Sequence, residues 1–474
     1  MKNILIAIRS IFKKGRHNVM KIVSLGIGLA VGLVLIAKVY FEQSYDDFYP
    51  DRDRVYQVWA KYQQNGGELK DYPQTSGGIA PTMQQQIPEI ETVTRYTSFG
   101  DWTFTMTDTK MKYSGRCIIA DSCFFDILPR PMLIGNAKEV LSIPMYVLVS
   151  SRIAKNIGGD VIGKNFTVDS SPGRTMTIGG VFEEVPENSH SRYDVIVSMA
   201  SAGRFMWEGS PTNMLGNDRY ISYVKLHKGV NPLALEEQVH TFVNSYFPPE
   251  EQQKTGFNIG FSFHELDGLH KELPQVKRMT WILSLLAFAL IFTAVMNYIL
   301  IVISSIVNRS KEVAVHKCYG ASENNIHGMM FGEALVHIVL SLILALLLIL
   351  AFRGTVEELL ATSLDSLLLS NGSLVLLGIC ILVFFVSGFM PGSLYARIPV
   401  ASAFRNYREN KRIWKKALLL VQFVATGFLV TMLVFVARQY TFMVNDRPGY
   451  AYENLAYCGL AAWTLPLVPR FWMR

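Results

Sequence analysis

The run Gly158-Gly159-Asp160-Val161-Ile162-Gly163-Lys164-Asn165 differs by one residue from a phosphate-binding loop. Such a loop needs a Ser or Thr after its lysine, because that hydroxyl coordinates the magnesium ion that accompanies the phosphates. Asn165 occupies this position, and the sequence predicts no long helix after it. We therefore interpret the run as a glycine turn before a strand at 166–168, and we expect this chain not to hydrolyse ATP itself.

Two histidines form a second partial motif. A zincin helix needs two histidines four residues apart, since that spacing places both on one face of the helix. His264 and His270 are six residues apart with Gly268 between them, and the sequence has no G-x-S-x-G segment and no paired-cysteine metal spacing. We therefore predict no catalytic residue and no metal site, and a membrane enzyme is a disfavoured interpretation.

The composition indicates which elements would position any functional residues. The chain has 474 residues, of which 50% are apolar and 18% are charged, with a net charge of +7. This composition excludes a disordered or a fibrous chain. The apolar residues are concentrated in long runs, which is typical of an integral membrane protein.

Five apolar runs are long enough to cross a bilayer as a helix, which takes about 20 residues. The predicted membrane helices are 21–41, 279–304, 329–352, 373–396 and 417–437. Residues 1–20 predict a short amphipathic helix on the cytoplasmic membrane surface, unless they are simply the first turns of the span. Lys38 lies near the far end of the first span, where its long side chain can extend to the interface.

The charges of the connecting segments predict the orientation, because Lys and Arg accumulate on the cytoplasmic side. Residues 1–41 contain several Lys and Arg and no Asp or Glu. The loop 397–416 is strongly basic, whereas the loop 353–372 is acidic. We therefore place the N-terminus in the cytoplasm and 42–278 outside. The positive charge then follows from membrane topology, and a nucleic-acid partner is not expected.

The outer segment 42–278 is predicted to fold as an α+β domain. Alternating apolar and polar residues predict strands at 55–59, 103–106, 175–181 and 193–198. Helical spacing predicts helices at 151–156 and 232–246. The predicted fold class is thus an α-helical integral membrane protein with about five transmembrane helices and a large α+β extracytoplasmic domain inserted between the first and second.

The five cysteines, an odd number, do not form a disulfide framework. Cys117 and Cys123 both fall in the outer domain, where an oxidising compartment would allow a bond between them. Spacing alone does not show that two sulfurs meet, so a disulfide and two buried thiols both stay open, with thiols favoured. The other cysteines fall in or near the membrane segments and have no evident partner: Cys318, Cys380 and Cys458.

Three stretches resemble the MacB/FtsX-type permeases of ABC transporters, and the resemblance covers about 1–455. The first joins the initial span to a polar and aromatic segment: Tyr45, Phe48, Asp51, Arg54, Val55 and Tyr56. The second is similar to the family's periplasmic core domain: 120–126, 133–136, 149–154, 162–164 and 186–190. The third, the most specific, is similar to the family's cytoplasmic signature: 309–321 followed by Ile326, Phe331, Glu333 and Ala334.

The resemblance implies a separate cytoplasmic ATPase that binds ATP and magnesium, with no cofactor on this chain. The segment 305–328 would couple the two proteins through Arg309, Glu312, Lys317, Gly320 and Ala321. Gly320 is suited to end a helix with a positive φ, and Ser322 to begin the next helix as its N-cap. Glu333 falls inside a span, and an intramembrane acid is a functional candidate unless it is exposed at the interface.

A shift of 395 residues aligns the first and fifth spans, and repeated halves are common in transporters. The aligned pairs include Lys21 with Lys416, Gly32 with Gly427, Tyr45 with Tyr440, and Asp51-Arg52 with Asp446-Arg447. Longer members of the family carry a second outer domain and three more spans. We therefore interpret 438–474 as the truncated extracytoplasmic tail of a second repeat.

The resulting hypothesis is a permease subunit in a bacterial inner membrane that converts ATP hydrolysis by its partner into motion of the outer domain. Export and mechanotransmission are both compatible with this role, and the sequence does not identify the cargo. The resemblance also implies contact with membrane lipid, a dimer of permeases and a periplasmic adaptor. The alternative is a sensory receptor with an extracytoplasmic ligand-binding domain, although the inner loop 305–328 is too short for a signalling domain.

Overall fold

The structure, a computed structural model, describes residues 17–169, 171, 173–216, 218–369, 371–396 and 413–445. These residues form two compact units. The helical unit takes its described residues from Met1–Gln43 and Pro274–Leu455, and the α+β domain takes them from Ser44–Leu273. Several predicted features lie outside the described residues: the amphipathic helix before residue 17, the loop at 397–412, and the tail beyond 445 with Cys458 and Asp446-Arg447.

The described residues contain sixteen helices, which are numbered along the chain, and three short ones lie between long apolar helices. In order they are α1 (Asn18–Gln43), α2 (Ile79–Gln86), α3 (Phe124–Ile127), α4 (Ala137–Ser142), α5 (Ser151–Ile157), α6 (Ala202–Phe205), α7 (Glu236–Tyr246), α8 (Pro249–Thr255), α9 (Gly268–Lys271), α10 (Pro274–Ser304), α11 (Ile306–Cys318), α12 (Glu323–Ala351), α13 (Arg353–Leu360), α14 (Leu364–Leu368), α15 (Ser373–Ala396) and α16 (Ile413–Asn445). Among the described residues, five are long and apolar enough to cross a membrane: α1, α10, α12, α15 and α16.

Glycines allow α1 to approach its neighbours closely in the helical unit. A β-carbon at Gly28 would lie 2.2 Å from the β-carbon of Ala294 on α10, and one at Gly26 would lie 2.9 Å from Leu344 on α12. Small residues four apart permit such backbone contact between membrane helices. Gly28 and Gly32 have this spacing, so the short G-x-x-x-G pattern marks the face of α1 that packs on α10.

The described residues of the α+β domain form one sheet of eleven strands. In chain order they are β1 (Val55–Gln64), β2 (Lys70–Tyr72), β3 (Ile90–Met106), β4 (Lys112–Ala120), β5 (Met132–Ile134), β6 (Tyr146–Ser150), β7 (Asn165–Val168), β8 (Thr175–Phe182), β9 (Val195–Ser198), β10 (Ile221–Leu226) and β11 (Phe257–Glu265). The main path runs β11-β1-β10-β3-β4-β9-β6-β8-β5, with β2 on β1 and β7 on both β3 and β8. Only the pairs β4/β9 and β6/β8 are parallel among those described.

The central strands are buried on both faces of this sheet. Side chains alternate between faces along a strand. Val147 and Val149 of β6 therefore join one hydrophobic cluster, while Leu148 joins another. Cys117 of β4 belongs to the first cluster and Ile118 to the second. This burial explains the continuous apolar runs of β6 and β9, which differ from the alternating pattern of a half-exposed strand.

Cys117 and Cys123 are both free thiols, which agrees with the interpretation favoured from the sequence. Cys117 is fully buried in the sheet, whereas Cys123 is half-buried at the start of α3. Burial raises the pKa of the Cys117 thiol well above its usual range, because the apolar surroundings disfavour the thiolate. This cysteine therefore packs as a small apolar side chain.

Candidate functional site

The predicted coupling segment forms a helical hairpin of α11 and the start of α12. Gly320 has φ +86°, and the amides of Gly320 and Ala321 donate to the carbonyl oxygens of Lys317 (3.0 Å) and His316 (3.0 Å). This pair of bonds is a Schellman motif, which ends α11. Ser322 then caps α12 by accepting a hydrogen bond from the Asn325 amide at 3.4 Å. Both helix boundaries predicted from Gly320 and Ser322 are confirmed.

Replacing Gly320 with alanine is expected to lower the free energy of unfolding by about 1 kcal/mol, because a β-carbon disfavours positive φ. A β-carbon there would meet no atom within 4 Å, so the loss comes from the backbone alone. Asparagine tolerates this conformation, and Gly320→Asn should cost clearly less. Denaturant titration of the purified chain in detergent would measure both. Equal losses for the two variants would contradict this explanation.

The five predicted coupling residues lie on or directly after α11. Glu312 and Lys317 are half-buried on the helix, and Gly320 and Ala321 form its C-terminal turn. Arg309 lies in the first turns of α11, and its side chain is outside the described atoms. α12 begins at Glu323, so the C-terminal end of the predicted segment 305–328 already belongs to a long helix.

Glu333 lies inside the helical unit, and the structure removes the interface-exposed interpretation. Its residue is 6% exposed, and its Oε1 atom is 3.5 Å from Nζ of Lys21, a fully buried residue on α1. Asn18 accepts a hydrogen bond from the same Nζ atom at 3.3 Å. A charged side chain is costly in an apolar environment unless it is paired, so this ion pair links α1 to α12.

Further polar side chains continue the same face of α12. His337 and Ser341 follow Glu333 at four-residue intervals, which place all three on one side of a helix. His337 Nδ1 is hydrogen-bonded to the hydroxyl of Tyr298 on α10 at 3.2 Å. Ser341 donates to the carbonyl oxygen of Ile22 at 3.1 Å. This polar stripe is not among the sites predicted from the sequence, although the four-residue spacing of its members is visible there.

Lys38 marks the other end of α1, and its ammonium group is held by protein atoms. Nζ lies 2.6 Å from Glu42 Oε1 and donates to Thr362 Oγ1 at 2.8 Å. The ring of Phe41 lies 4.9 Å away. Lys38 is therefore 7% exposed and does not extend freely to the interface as its position in the sequence suggested.

In the α+β domain, a polar cluster that we call the anchor cluster holds the first residues after α1. It consists of Ser44, Asp46, Tyr49, Asn188, Ser189, His190, Ser191 and Tyr223, with Asn188 Nδ2 donating to the carbonyl oxygen of Ser44 at 2.6 Å. Asp46 Oδ2 lies 2.5 Å from His190 Nδ1, and Ser189 donates to Asp46 Oδ1 at 2.6 Å. The hydroxyls of Tyr49 and Ser191 are 2.6 Å apart. The loop 186–191 is thereby fixed to the chain that leaves α1.

Neither of the two partial enzyme motifs has the local structure that its chemistry would need. Gly158, Gly159 and Gly163 have positive φ angles in a turn before β7, as the glycine-turn interpretation predicted. His264 lies on β11 and His270 on α9, so they do not share a helix. In the described part of the chain, no group of three His, Cys, Asp or Glu side chains is placed to hold a metal ion.

Comparisons with known proteins agree with this architecture. Residues 20–242 match the family model of the MacB-like periplasmic core domain, and residues 284–400 match the FtsX-like permease C-terminal model. No curated protein matches the chain.

Three solved domain structures are similar to part of the chain. A domain of a protein described as a permease from Porphyromonas gingivalis is 32% identical, with 46% of this chain and 91% of that chain covered and a TM-score of 0.42. The periplasmic region of MacB from Actinobacillus actinomycetemcomitans is 15% identical, with 46% and 92% covered and a TM-score of 0.32. The extracellular domain of the ABC-type transporter YknZ from Gram-positive bacteria is 10% identical, with 43% and 98% covered and a TM-score of 0.31.

The two family models together cover most of the chain. The first covers α1 and most of the α+β domain, and the second covers the region from α10 to α15. Their order is also that of the structure, with one membrane helix before the α+β domain and the others after it. The chain therefore belongs to the MacB/FtsX-type permeases of ABC transporters, multi-pass proteins of the bacterial inner membrane whose ATPase is a separate subunit.

Proposed function

We propose that this permease couples ATP hydrolysis by a cytoplasmic ATPase to motion of its periplasmic core domain, with the N-terminus and the α11 hairpin facing the cytoplasm. The observation that carries the proposal is the exposed apolar tip of α11. Tyr319 is 88% exposed and Val315 is 44% exposed. Aromatic side chains dominate the energy of protein interfaces, so an exposed tyrosine at a helix end is a suitable contact for a partner.

The opposite side of α11 supports transmission of force into the spans. Val313 and Ala314 are almost fully buried and belong to the hydrophobic cluster that contains residues of α1, α10 and α12. The short connections before and after α11 join it directly to α10 and α12. A packed core shifts as a unit rather than deforming continuously, so a push on α11 would move these helices.

The anchor cluster supports the last step of the proposed coupling. It fixes Ser44 and Asp46, the residues that follow α1, to the loop 186–191 of the core domain. A displacement of the chain at the end of α1 would therefore act on the loop before β9. Motion of this domain serves either export or mechanotransmission, the two roles that we propose for the transporter.

The remaining proposed partners are lipid, a second permease and a periplasmic adaptor. Exposed apolar side chains along α15 and α16 support contact with lipid or with another copy: Leu374, Leu382, Phe389, Phe423, Leu433 and Phe442 are examples. The sign of the loop charges supports the proposed orientation. ATP and magnesium are expected on the ATPase, and we propose no cofactor on this chain.

Co-purification of an ATPase tests the coupling hairpin. The bait is the full chain in detergent, expressed in cells that make the candidate ATPases, and the readout is ATPase activity per bait. Tyr319→Ala should lower the co-purified activity at least about tenfold, because loss of an interface tyrosine commonly costs about 2 kcal/mol. Glu312→Ala and Lys317→Ala are expected to lower it by smaller factors.

The matched control is Tyr72→Ala, which removes an exposed tyrosine from the α+β domain (Tyr72 is 44% exposed). This variant should retain the wild-type level of co-purified ATPase. The same loss with Tyr72→Ala and Tyr319→Ala would refute the assignment of the hairpin as the docking surface. Absence of any ATPase with the wild-type bait would refute the partnership itself.

A further inference from the structure

Arg130 is a buried arginine in the periplasmic core domain, placed between α3 and β5. It is 6% exposed and lies between Pro129 and Pro131, which restrict the backbone on both sides. The carbonyl oxygen of Pro131 also accepts a hydrogen bond from the Glu183 amide at 2.9 Å. The backbone that carries Arg130 is therefore restricted on both sides.

Only some of the N–H donors of this guanidinium group have a hydrogen-bond acceptor among the residues that the structure describes. Nη2 donates to the carbonyl oxygen of Ser191 and to its hydroxyl at 3.3 Å. Four aromatic rings lie 5.2–6.0 Å from the guanidinium carbon: Phe124, Phe125, Phe182 and Tyr193. Nε is buried and has no hydrogen-bond partner, and no carboxylate of the described residues lies within 4 Å of Arg130. Burial lowers the pKa of Arg130, because the apolar surroundings disfavour the charged guanidinium group.

Arg130 lines a cavity of about 620 Å³. Three more arginines line it: Arg116, Arg152 and Arg192. Arg152 is already paired, with Glu184 at 3.1 Å and with Asp194. Arg116 and Arg192 are exposed, and neither has a carboxylate within 4 Å in the described part of the chain.

Carboxylates also line the cavity, in a number equal to that of the arginines, so net charge does not by itself make this an anion site. They are Asp101, Glu184, Glu187 and Asp194. Their placement matters more than their number. Glu184 and Asp194 form ion pairs with Arg152, and Asp101 lies opposite Arg116 in the register of β3 and β4. None of the four approaches the buried guanidinium group of Arg130 within ion-pair distance.

We propose that this cavity binds a small oxyanion group, a carboxylate or a phosphate, on Arg130, with Arg116 and Arg192 at its exposed wall. Arginine presents a planar set of donors that matches both groups, and such charge-assisted hydrogen bonds are stronger than neutral ones. An oxyanion would supply Arg130 with a charged acceptor, which no carboxylate of the described residues provides. The cavity is within the size range of small-molecule sites. The site is independent of the ATPase partner.

Calorimetric titration of the full chain in detergent tests the site, with acetate, succinate and inorganic phosphate as separate probes and sodium chloride as the ionic-strength control. We expect saturable binding of at least one oxyanion that chloride does not reproduce. Preference for succinate or acetate identifies a carboxylate ligand, and preference for phosphate identifies a phosphate ligand. No saturable heat with any of the three probes in the millimolar range would overturn the proposal.

Variants then locate the bound anion. Arg130→Gln should weaken binding at least about tenfold, because it removes a charged donor set from a buried position. Arg204→Gln, which changes an exposed arginine on α6 away from the cavity, should bind like the wild type. Equal binding by Arg130→Gln and the wild type would overturn the assignment of Arg130.

Arg130→Gln also removes packing against four rings, so a second variant guards against misfolding. Arg192→Gln changes an exposed cavity arginine and should preserve the fold while weakening binding by about twofold to tenfold. Hydrogen exchange of the wild type gives an independent readout. The anion should slow exchange in 183–194 and leave α7 unchanged. An unchanged exchange rate in 183–194 at saturating anion would overturn the location.

Discussion

Replacing Lys21 with methionine is expected to lower the free energy of unfolding of the helical unit by about 3 kcal/mol or more. Lys21 is fully buried, and its Nζ atom lies 3.5 Å from Oε1 of Glu333, which is itself 6% exposed. Removing one member of a buried ion pair leaves the other charge without its partner, and such changes typically cost 3–5 kcal/mol. Denaturant titration of the purified chain in mixed micelles measures this loss.

The double variant Lys21→Met/Glu333→Gln separates charge imbalance from loss of packing. Removing both charges should return the stability to within about 1 kcal/mol of the wild type, because a neutral replacement of a buried pair is often tolerated. Double-mutant analysis should then give a coupling energy of at least about 2 kcal/mol, because the double variant loses much less stability than Lys21→Met alone. Additive losses in the double variant would contradict a direct interaction of Lys21 with Glu333.

Lys416 in α16 provides a matched control for this prediction. Lys416 aligns with Lys21 in the sequence and also lies near the start of an apolar helix, yet it is exposed. Lys416→Met makes the same chemical change but removes no partner from a buried acid. It should therefore change the free energy of unfolding by less than about 0.5 kcal/mol. Similar losses at both lysines would show that the effect arises from the membrane-proximal charge and not from the ion pair.

Local rules explain which parts of the site were predictable. Gly320 and Ser322 were recognised because helix ends depend on residues within a few positions of each other. The strands predicted at 55–59 and 175–181 also appear, as parts of β1 and β8. Glu333 was recognised as a candidate because an acid within an apolar run is visible in the sequence alone.

The partners of these residues were not predictable, because they are distant along the chain. Lys38 and Thr362 are 324 positions apart, and Asp46 and His190 are 144 positions apart. A single sequence shows the types of such residues without showing which of them meet. Arg130 gave no signal for the same reason, since its rings and its cavity come from several strands and loops. Burial and tertiary contact, not local spacing, define these sites.

Replacing Asp46 with alanine is expected to lower the free energy of unfolding of the α+β domain by about 4 kcal/mol or more. Asp46 is 1% exposed, and its carboxylate receives hydrogen bonds from Ser189 (2.6 Å) and from His190 Nδ1 (2.5 Å). Each bond to a charged group contributes about 1.5–3 kcal/mol. Asp46 also has φ +58°, which costs alanine about a further 1 kcal/mol.

The proton arrangement in the anchor cluster explains why the carboxylate is required. Burial raises the pKa of Tyr223 well above its usual range, so its hydroxyl stays protonated. Tyr223 lies 2.6 Å from His190 Nε2, so a His190 tautomer with its proton on Nδ1 accepts from Tyr223 and donates to Asp46. Ser189 and His190 both donate to the Asp46 carboxylate, and a methyl group at position 46 would remove this shared acceptor.

Two variants separate the backbone contribution from the hydrogen bonds. Asp46→Asn keeps the size of the side chain, and asparagine tolerates positive φ. Its loss of unfolding free energy therefore reports only the lost charge and the mismatch between donors, and we expect about half of the loss for alanine. Asp53→Ala removes an exposed aspartate from the same connecting region and should change stability by less than about 0.5 kcal/mol. Thermal unfolding of the full chain followed by near-ultraviolet circular dichroism measures all three. If Asp46→Ala and Asp53→Ala unfolded together with the wild type, the anchor cluster would not hold the segment that follows α1, and the proposed path from that helix into the core domain would fail.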